Sequence, residues 1–345
     1  MNSQNPIDGF VVDPATLKTI GTDLQRPECI LAEPDGSLWS ADARGGVIHI
    51  SPDGRQKFIG QRQSGFVDAE DDAHRFTSGT LPNGLAFARN GDILISNFGT
   101  DRLELMRRTG ESEILYDTLN GKPIGKVNFV LRDSLDRLWL TVSTTIPNWM
   151  EAISPNISDG FVAMADEKGL RIIADGFAFT NEIRFDAAEE WLYVVETTAM
   201  RITRLRIEAD ATVSARETFG PSNHGAFIDG IAFDIFGNLW GTHVMIDRIF
   251  AIKPDGDLQI ILDDDKGSAE GKALLTAFEN DTVTPEMTLA CGGQIAPWMA
   301  SITFGGRDMT TAYIGSLRGT TIPYFTAPVA GLPMIHWNNR ERPTP

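Results

Sequence analysis

Five oxygen-bearing side chains recur in one register along this chain. Glu28, Asn83, Asn128, Asn181 and Asp229 each stand eleven positions before a bulky residue: Trp39, Leu94, Trp139, Leu192 and Trp240. Any one Asn or Asp before an apolar run could simply cap a turn. Five in register point to a symmetric structure that gathers them. Two carboxylates and three amides, with no lysine or arginine at these positions, form an all-oxygen donor set. Such a set suits one hard divalent cation. It favours Ca²⁺ over Zn²⁺, which prefers His and Cys.

The elements that must position these residues are also repeated. A short apolar run follows each leader (ILA, LAF, FVL, IRF, IAF), then a turn such as EPDG or ARNG, then a second run such as LWSAD or LWGTH. Third runs (GVIHI, RLELM, GFVAMA, RITRLRI, RIFAI) and fourth runs (QKFIG, SEILYD, LRIIAD, LQIILD, and a less regular SARETFG in the fourth unit) complete each unit. Short strands broken by Gly, Asp and Asn turns read as antiparallel meanders. Four strands per unit at intervals of roughly 45–55 residues fit propeller blades. A sixth unit, MASITFGGRDMTTAYIGSLRGTTIPYFTAP, carries Ala300 at the leader position. The segment FVVDPATLKTIGTDL has a strand–turn–strand pattern that would complete this last blade. The expectation is an all-β six-bladed β-propeller over residues 1–345, with four-stranded antiparallel blades and leaders ringed about a central channel. With each leader at the top of an innermost strand, the long connections 60–82, 117–127, 144–160, 219–228 and 263–298 all lie on the leader face. Long loops over one face suggest a covered binding site.

Composition narrows the function classes. The net charge of −17 argues against a nucleic-acid surface and against anionic membranes. Cys29 and Cys291 are the only cysteines, so there is no disulfide framework and no CxxC zinc signature. MNSQNPIDGF lacks a signal-peptide pattern, and no stretch approaches the ~18 apolar residues of a membrane span. A cytoplasmic location with a small-molecule partner is expected, as a monomer or a homo-oligomer. No phosphate loop, GxSxG elbow or HExxH motif is present.

Several of these residues resemble a known family: the regucalcin, gluconolactonase and luciferin-regenerating enzyme group. Its members are six-bladed calcium- or zinc-dependent propellers that mostly hydrolyse lactones. The resemblance covers nearly the whole chain. It is carried by Glu28 after Pro27, NGLAF at Asn83, Asn128 before its strand, FTNEIRF at Asn181, IDGIAFD at Asp229, and the late SITFGGRDMTTAYIGS. It implies that Glu28, Asn128, Asn181 and Asp229 hold the metal and that Asp229 is the general base. Asn83 lies outside the family's ligand set. It is left to bind substrate, to reach the metal through water, or to hold a turn. Three positions depart from the family. Cys29 and Ile30 follow Glu28 where Gly-Pro is usual. Lys126 stands where sugar lactonases often carry arginine. TVSTTIPNWM offers no acidic substrate contact.

The tops of the second strands carry Asp42, Asn97, Ser143, Thr144, Glu196, Thr197, His243 and Ser316. Among these Glu196 and His243 are expected to touch substrate, beside Lys126 and Trp149. Ile146, Pro147, Trp149, Met150 and Ile153 form a lid or an apolar wall. The function expected is divalent-metal-dependent hydrolysis of a lactone or related cyclic ester. Hydrolysis of a phosphotriester or other ester, lyase chemistry, and a non-catalytic calcium-binding propeller are the alternatives.

Overall fold

The computed structural model describes residues 4–62 and 79–338. Six four-stranded antiparallel sheets form a β-propeller. The first blade comprises Ile30–Ala32, Leu38–Asp42, Gly46–Ile50 and Gln56–Gly60. Innermost strands of the next four blades are Pro82–Phe87, Val127–Arg132, Thr180–Phe185 and Ile228–Phe233, and that of the sixth is Met299–Gly305. Lys18–Ile20 forms the outermost strand of the sixth sheet, pairing with Ile322–Thr326. The expected first strand, from Phe10 to Asp13, has no regular structure, although Val12 N donates to Ile261 O at 2.8 Å. Pro14 opens a short 3-10 turn, and Asp13 caps it by accepting from Ala15 N, as suits a proline with no N–H to offer.

The eleven-residue register has a structural cause. In the first, third and fifth blades, the tryptophan eleven positions after the leader donates its indole N–H to a carboxylate five after the leader. The pairs are Trp39 to Glu33 (2.7 Å), Trp139 to Asp133 (2.8 Å) and Trp240 to Asp234 (2.8 Å). Each bond closes the first hairpin of its blade across a buried core and satisfies an indole that burial would otherwise orphan.

The leaders sit where the ladder breaks. Pairing of the innermost strand with its neighbour shifts register between Pro82 and Leu85, Val127 and Phe129, Thr180 and Ile183, and Ile228 and Ile231. A bulge releases a residue from its ladder position and re-aims its side chain. Here it turns Asn83, Asn128, Asn181 and Asp229 towards the channel. Gly84 and Gly230, each just after a leader, permit the close approach of neighbouring inner strands. A Cβ on Gly84 would stand 2.7 Å from Phe129 Cα, and one on Gly230 would strike the backbone at Ala300.

Of the leader-face connections, 63–78 lies outside the described residues. Segment 263–298, read from sequence as loop, carries two helices: α1 (Ala269–Glu279) and α2 (Pro285–Ala290). Ser268 caps α1 by accepting from Gly271 N. Leu274 and Phe278 of α1 join Phe98, Ile153, Phe179, Phe227, Met245 and Trp298 in an apolar layer over the propeller.

Candidate functional site

All five register leaders line one cavity at the leader end of the channel. Each is buried, with no more than 5% of its surface exposed. The cavity measures about 60 Å³, room for a few waters or an ion with its hydration. A larger cavity, about 400 Å³, opens at the other end of the innermost strands, among Leu131, Phe185 and Leu332. It holds none of the five leaders, so the smaller cavity is the place for the chemistry their side chains can do.

Three of the four expected ligands bring a buried oxygen with no hydrogen-bond partner: Glu28 Oε2, Asn128 Oδ1 and Asn181 Oδ1. Leaving a buried acceptor unmade costs about 1–3 kcal/mol. Three on residues that line one cavity mark a place where a cation would supply what the protein does not. Asn181 is oriented by its amide N–H, which donates to Thr197 Oγ1 at 3.1 Å, and Thr197 in turn donates to Ile228 O at 2.7 Å. Among the described residues no cluster of three His, Cys, Asp or Glu side chains could hold a metal. A site of two carboxylates and two amides falls outside that pattern, and oxygen donors of this kind fit Ca²⁺.

Electrostatics point the same way. Burial pushes the Asp229 carboxyl well above its ordinary range, and the Glu182 charge adds to the rise. Burial likewise pushes Glu28 well up, opposed by Arg26 and reinforced by Asp229. Positive charge in the cavity would return both groups to the ionised form. Beside them Glu182 is raised to about 7 by burial. It pairs with Arg184 at 3.0 Å and accepts from Ile231 N at 3.1 Å, which ties the fourth blade to the fifth beneath the site.

Asn83 is a connector. Its amide N–H groups donate to Asn128 O (3.0 Å) and Glu28 Oε1 (3.2 Å), and its oxygen accepts from Arg26 Nη2 at 2.6 Å. With nitrogen and oxygen both engaged, it orients the cage. Arg26 itself escaped the sequence reading. It lies two residues before Glu28, outside any repeated position, and its guanidinium lines the cavity.

Trp149 reaches the cavity from the turn Trp149–Ala152, capped by Asn148. It packs edge-on against Phe98 (5.9 Å) and Phe179 (6.3 Å). The three other expected substrate contacts are not in the cavity wall. Lys126 is buried in an ion pair with Asp101 at 2.9 Å. Glu196 accepts from Arg201, Thr203 and Ala178 N, so a buried carboxylate at a strand end serves to tie its blade together. His243 stacks on Phe250 (4.6 Å) and meets His224 at 3.2 Å, and burial holds its imidazole well below its usual range. Of the second-strand tops, Thr197 alone lines the cavity.

A six-bladed propeller with a polar cage at one end of its channel defines a class of protein, and comparison with known proteins places the chain within it. A model of the SMP-30/gluconolactonase/LRE-like region matches residues 59–263. The chain belongs to that family. Among solved structures it is similar to a gluconolactonase from Xanthomonas campestris, with 17% identity and a TM-score of 0.64 over 92% of this chain and 89% of that one. A calcium-binding regucalcin from Agrobacterium tumefaciens superimposes with a TM-score of 0.65 at 15% identity, covering 94% and 95% of the two chains. A luciferin-regenerating enzyme does so with 0.66 at 14% identity, covering 92% and 98%. At these identities the structures establish the shared fold. No helix among the described residues is long and apolar enough to cross a membrane.

Proposed function

We propose that this protein is a divalent-cation-dependent hydrolase of a lactone or related cyclic ester. The observation that carries the reading is that Glu28 Oε2, Asn128 Oδ1 and Asn181 Oδ1 are buried and unpartnered on residues that line one cavity with Asp229. Membership of a family named for gluconolactonase supports the lactonase class, and the calcium-binding regucalcin supports the choice of ion.

Glu28, Asn128, Asn181 and Asp229 would hold the cation, Ca²⁺ by their chemistry, with Zn²⁺ or another divalent metal as the lesser fit. A bound cation supplies Lewis acidity that polarises an ester carbonyl. Asp229, buried and receiving a hydrogen bond from Asn181, takes the proton of the attacking water and then returns it to the leaving alkoxide. Asn83 keeps Glu28 in place. Phe98, Trp149, Ile153, Phe179 and Trp298 exclude bulk water and offer apolar contact, which favours a less polar ring than a polyhydroxylated aldonolactone. A Ca²⁺-reconstituted screen over sugar lactones, aliphatic and aromatic lactones and phosphotriesters tests the reading. Hydrolysis of hydrophobic lactones, lost on chelation, is expected. Absence of lactone hydrolysis with any divalent metal would overturn it.

A further inference from the structure

Arg26 is the one cationic side chain in the cavity wall among the described residues; the other charged groups there are Glu28 and Asp229. Its guanidinium is fixed by donation to Pro82 O at 3.1 Å and to Asn83 Oδ1 at 2.6 Å. Both partners are neutral, and Nε is buried without a partner. A buried guanidinium hydrogen-bonded only to neutral groups retains unused donors; the Glu28 and Asp229 charges that face it would be taken up by a cation, and its own charge is then costly unless a ligand completes it. The backbone tells the same story. Arg26 has φ of 56°, a left-handed conformation that a non-glycine residue adopts at a cost and that tends to persist where function needs it.

Charge balance then describes the ligand. The neighbouring charges cancel within their own pairs, Glu182 with Arg184 and Lys126 with Asp101. With Glu28 and Asp229 ionised around a divalent cation, Arg26 leaves the cavity one positive charge in excess. The complement is a monoanion, and the planar guanidinium fork matches a carboxylate. The apolar members of the wall, Phe98, Trp149, Phe179, Val244, Met245 and Trp298, offer contact to the rest of the molecule, which must extend beyond the cavity's 60 Å³.

We propose that Arg26 anchors a carboxylate of the substrate, so that the site takes a lactone or cyclic ester carrying one negative charge on an otherwise apolar ring. The proposal rests on reading the cavity as a cation-dependent hydrolytic site and names the substrate class of that site. Asn83 is then the positioning residue that links anchor to cage.

The test uses two inert ring compounds of matched shape, cyclopentanecarboxylate and neutral cyclopentanecarboxamide, titrated calorimetrically into the Ca²⁺-loaded protein. The carboxylate is expected to bind about tenfold to hundredfold more tightly, the range of one charge-assisted hydrogen bond. Arg26→Met is expected to abolish that preference, and Arg26→Lys, which keeps the charge without the fork, to retain part of it. Equal binding of the two probes by the unaltered protein overturns the proposal without recourse to any variant. A preference that persists in Arg26→Met also overturns it, because the cation would then be holding the carboxylate. Neither probe contains the ester that the proposed hydrolase would cleave, so the two readings fail separately. Lactone turnover without carboxylate preference defeats the Arg26 anchor alone. Carboxylate preference through Arg26 without lactone turnover defeats the hydrolase reading alone.

Discussion

Replacing Asn128 by leucine should make the metal-free protein more stable and remove most of its stabilisation by Ca²⁺. Asn128 Oδ1 is buried without a partner, and the backbone oxygen that Asn83 uses survives the change. Removing an unsatisfied buried polar group recovers about 1–3 kcal/mol. Unfolding entropy of about 2.1 cal/mol/K per residue over 345 residues makes each kcal/mol worth roughly 1.4 °C. The metal-free Asn128→Leu protein should therefore melt about 1–4 °C above wild type. Ca²⁺ at a hundred times its Kd stabilises a binding protein by about 2.7 kcal/mol, about 4 °C for this chain by the same entropy. The variant should lose most of that gain. Differential scanning fluorimetry with chelator and with Ca²⁺ reads all four values, and the variant's lead in chelator should shrink or reverse in Ca²⁺. A variant less stable than wild type in chelator, or one with an undiminished Ca²⁺ shift, would refute the reasoning that this oxygen awaits a cation.

Asp229→Asn keeps an oxygen ligand but removes the base, so turnover at saturating metal should fall by about 10²–10⁴-fold while calorimetry still detects the metal. Full activity with metal bound would leave Asp229 a ligand only. Arg184→Ala strands the buried Glu182 carboxylate, 3.0 Å away in the intact pair, and should cost about 3–5 kcal/mol in urea unfolding; a loss under 1 kcal/mol would show the pair to be well hydrated. Burial holds the His336 imidazole at about 4, below its ordinary 6.5, so the unfolded chain binds its proton first. That stability is fully present above about 6.5 and drains away as pH falls through about 4. Urea unfolding across this range should show His336→Phe losing about 3 kcal/mol less than wild type; identical pH profiles would count against it.

The fold was legible because its repeat is written in residue types that the packing requires. Tryptophan eleven positions after a leader is needed to meet a carboxylate five after it, and each hairpin turn is marked by Gly, Asp or Asn. The leaders were legible for the same reason: symmetry places equal register positions on one ring. The bulges that aim them were not, because a register shift is a property of two paired strands and leaves no residue type of its own. Helix α1 left a signal in Ser268 followed by Leu274, Ala277 and Phe278 at helical spacing, hidden within a connection read as loop. Arg26 left none, since it stands outside the repeat and reaches the cavity through a left-handed backbone. Glu196, His243 and Lys126 show the reverse: the sequence pattern put them at the site, and the structure places them outside the cavity wall. Polar residues at strand tops must satisfy buried hydrogen bonds before they can serve a ligand, and partners such as Arg201, His224 and Asp101 lie too far off the repeat pattern to be foreseen.

The cation is the premise on which the chemistry depends, and a crystal structure of the protein grown with Ca²⁺ tests it most directly. The account predicts one ion per chain on the channel axis, bonded at about 2.3–2.6 Å to Glu28 Oε2, Asn128 Oδ1, Asn181 Oδ1 and an oxygen of Asp229. A cavity without an ion at millimolar Ca²⁺, with the Arg26 guanidinium or protein donors satisfying those oxygens instead, would contradict it.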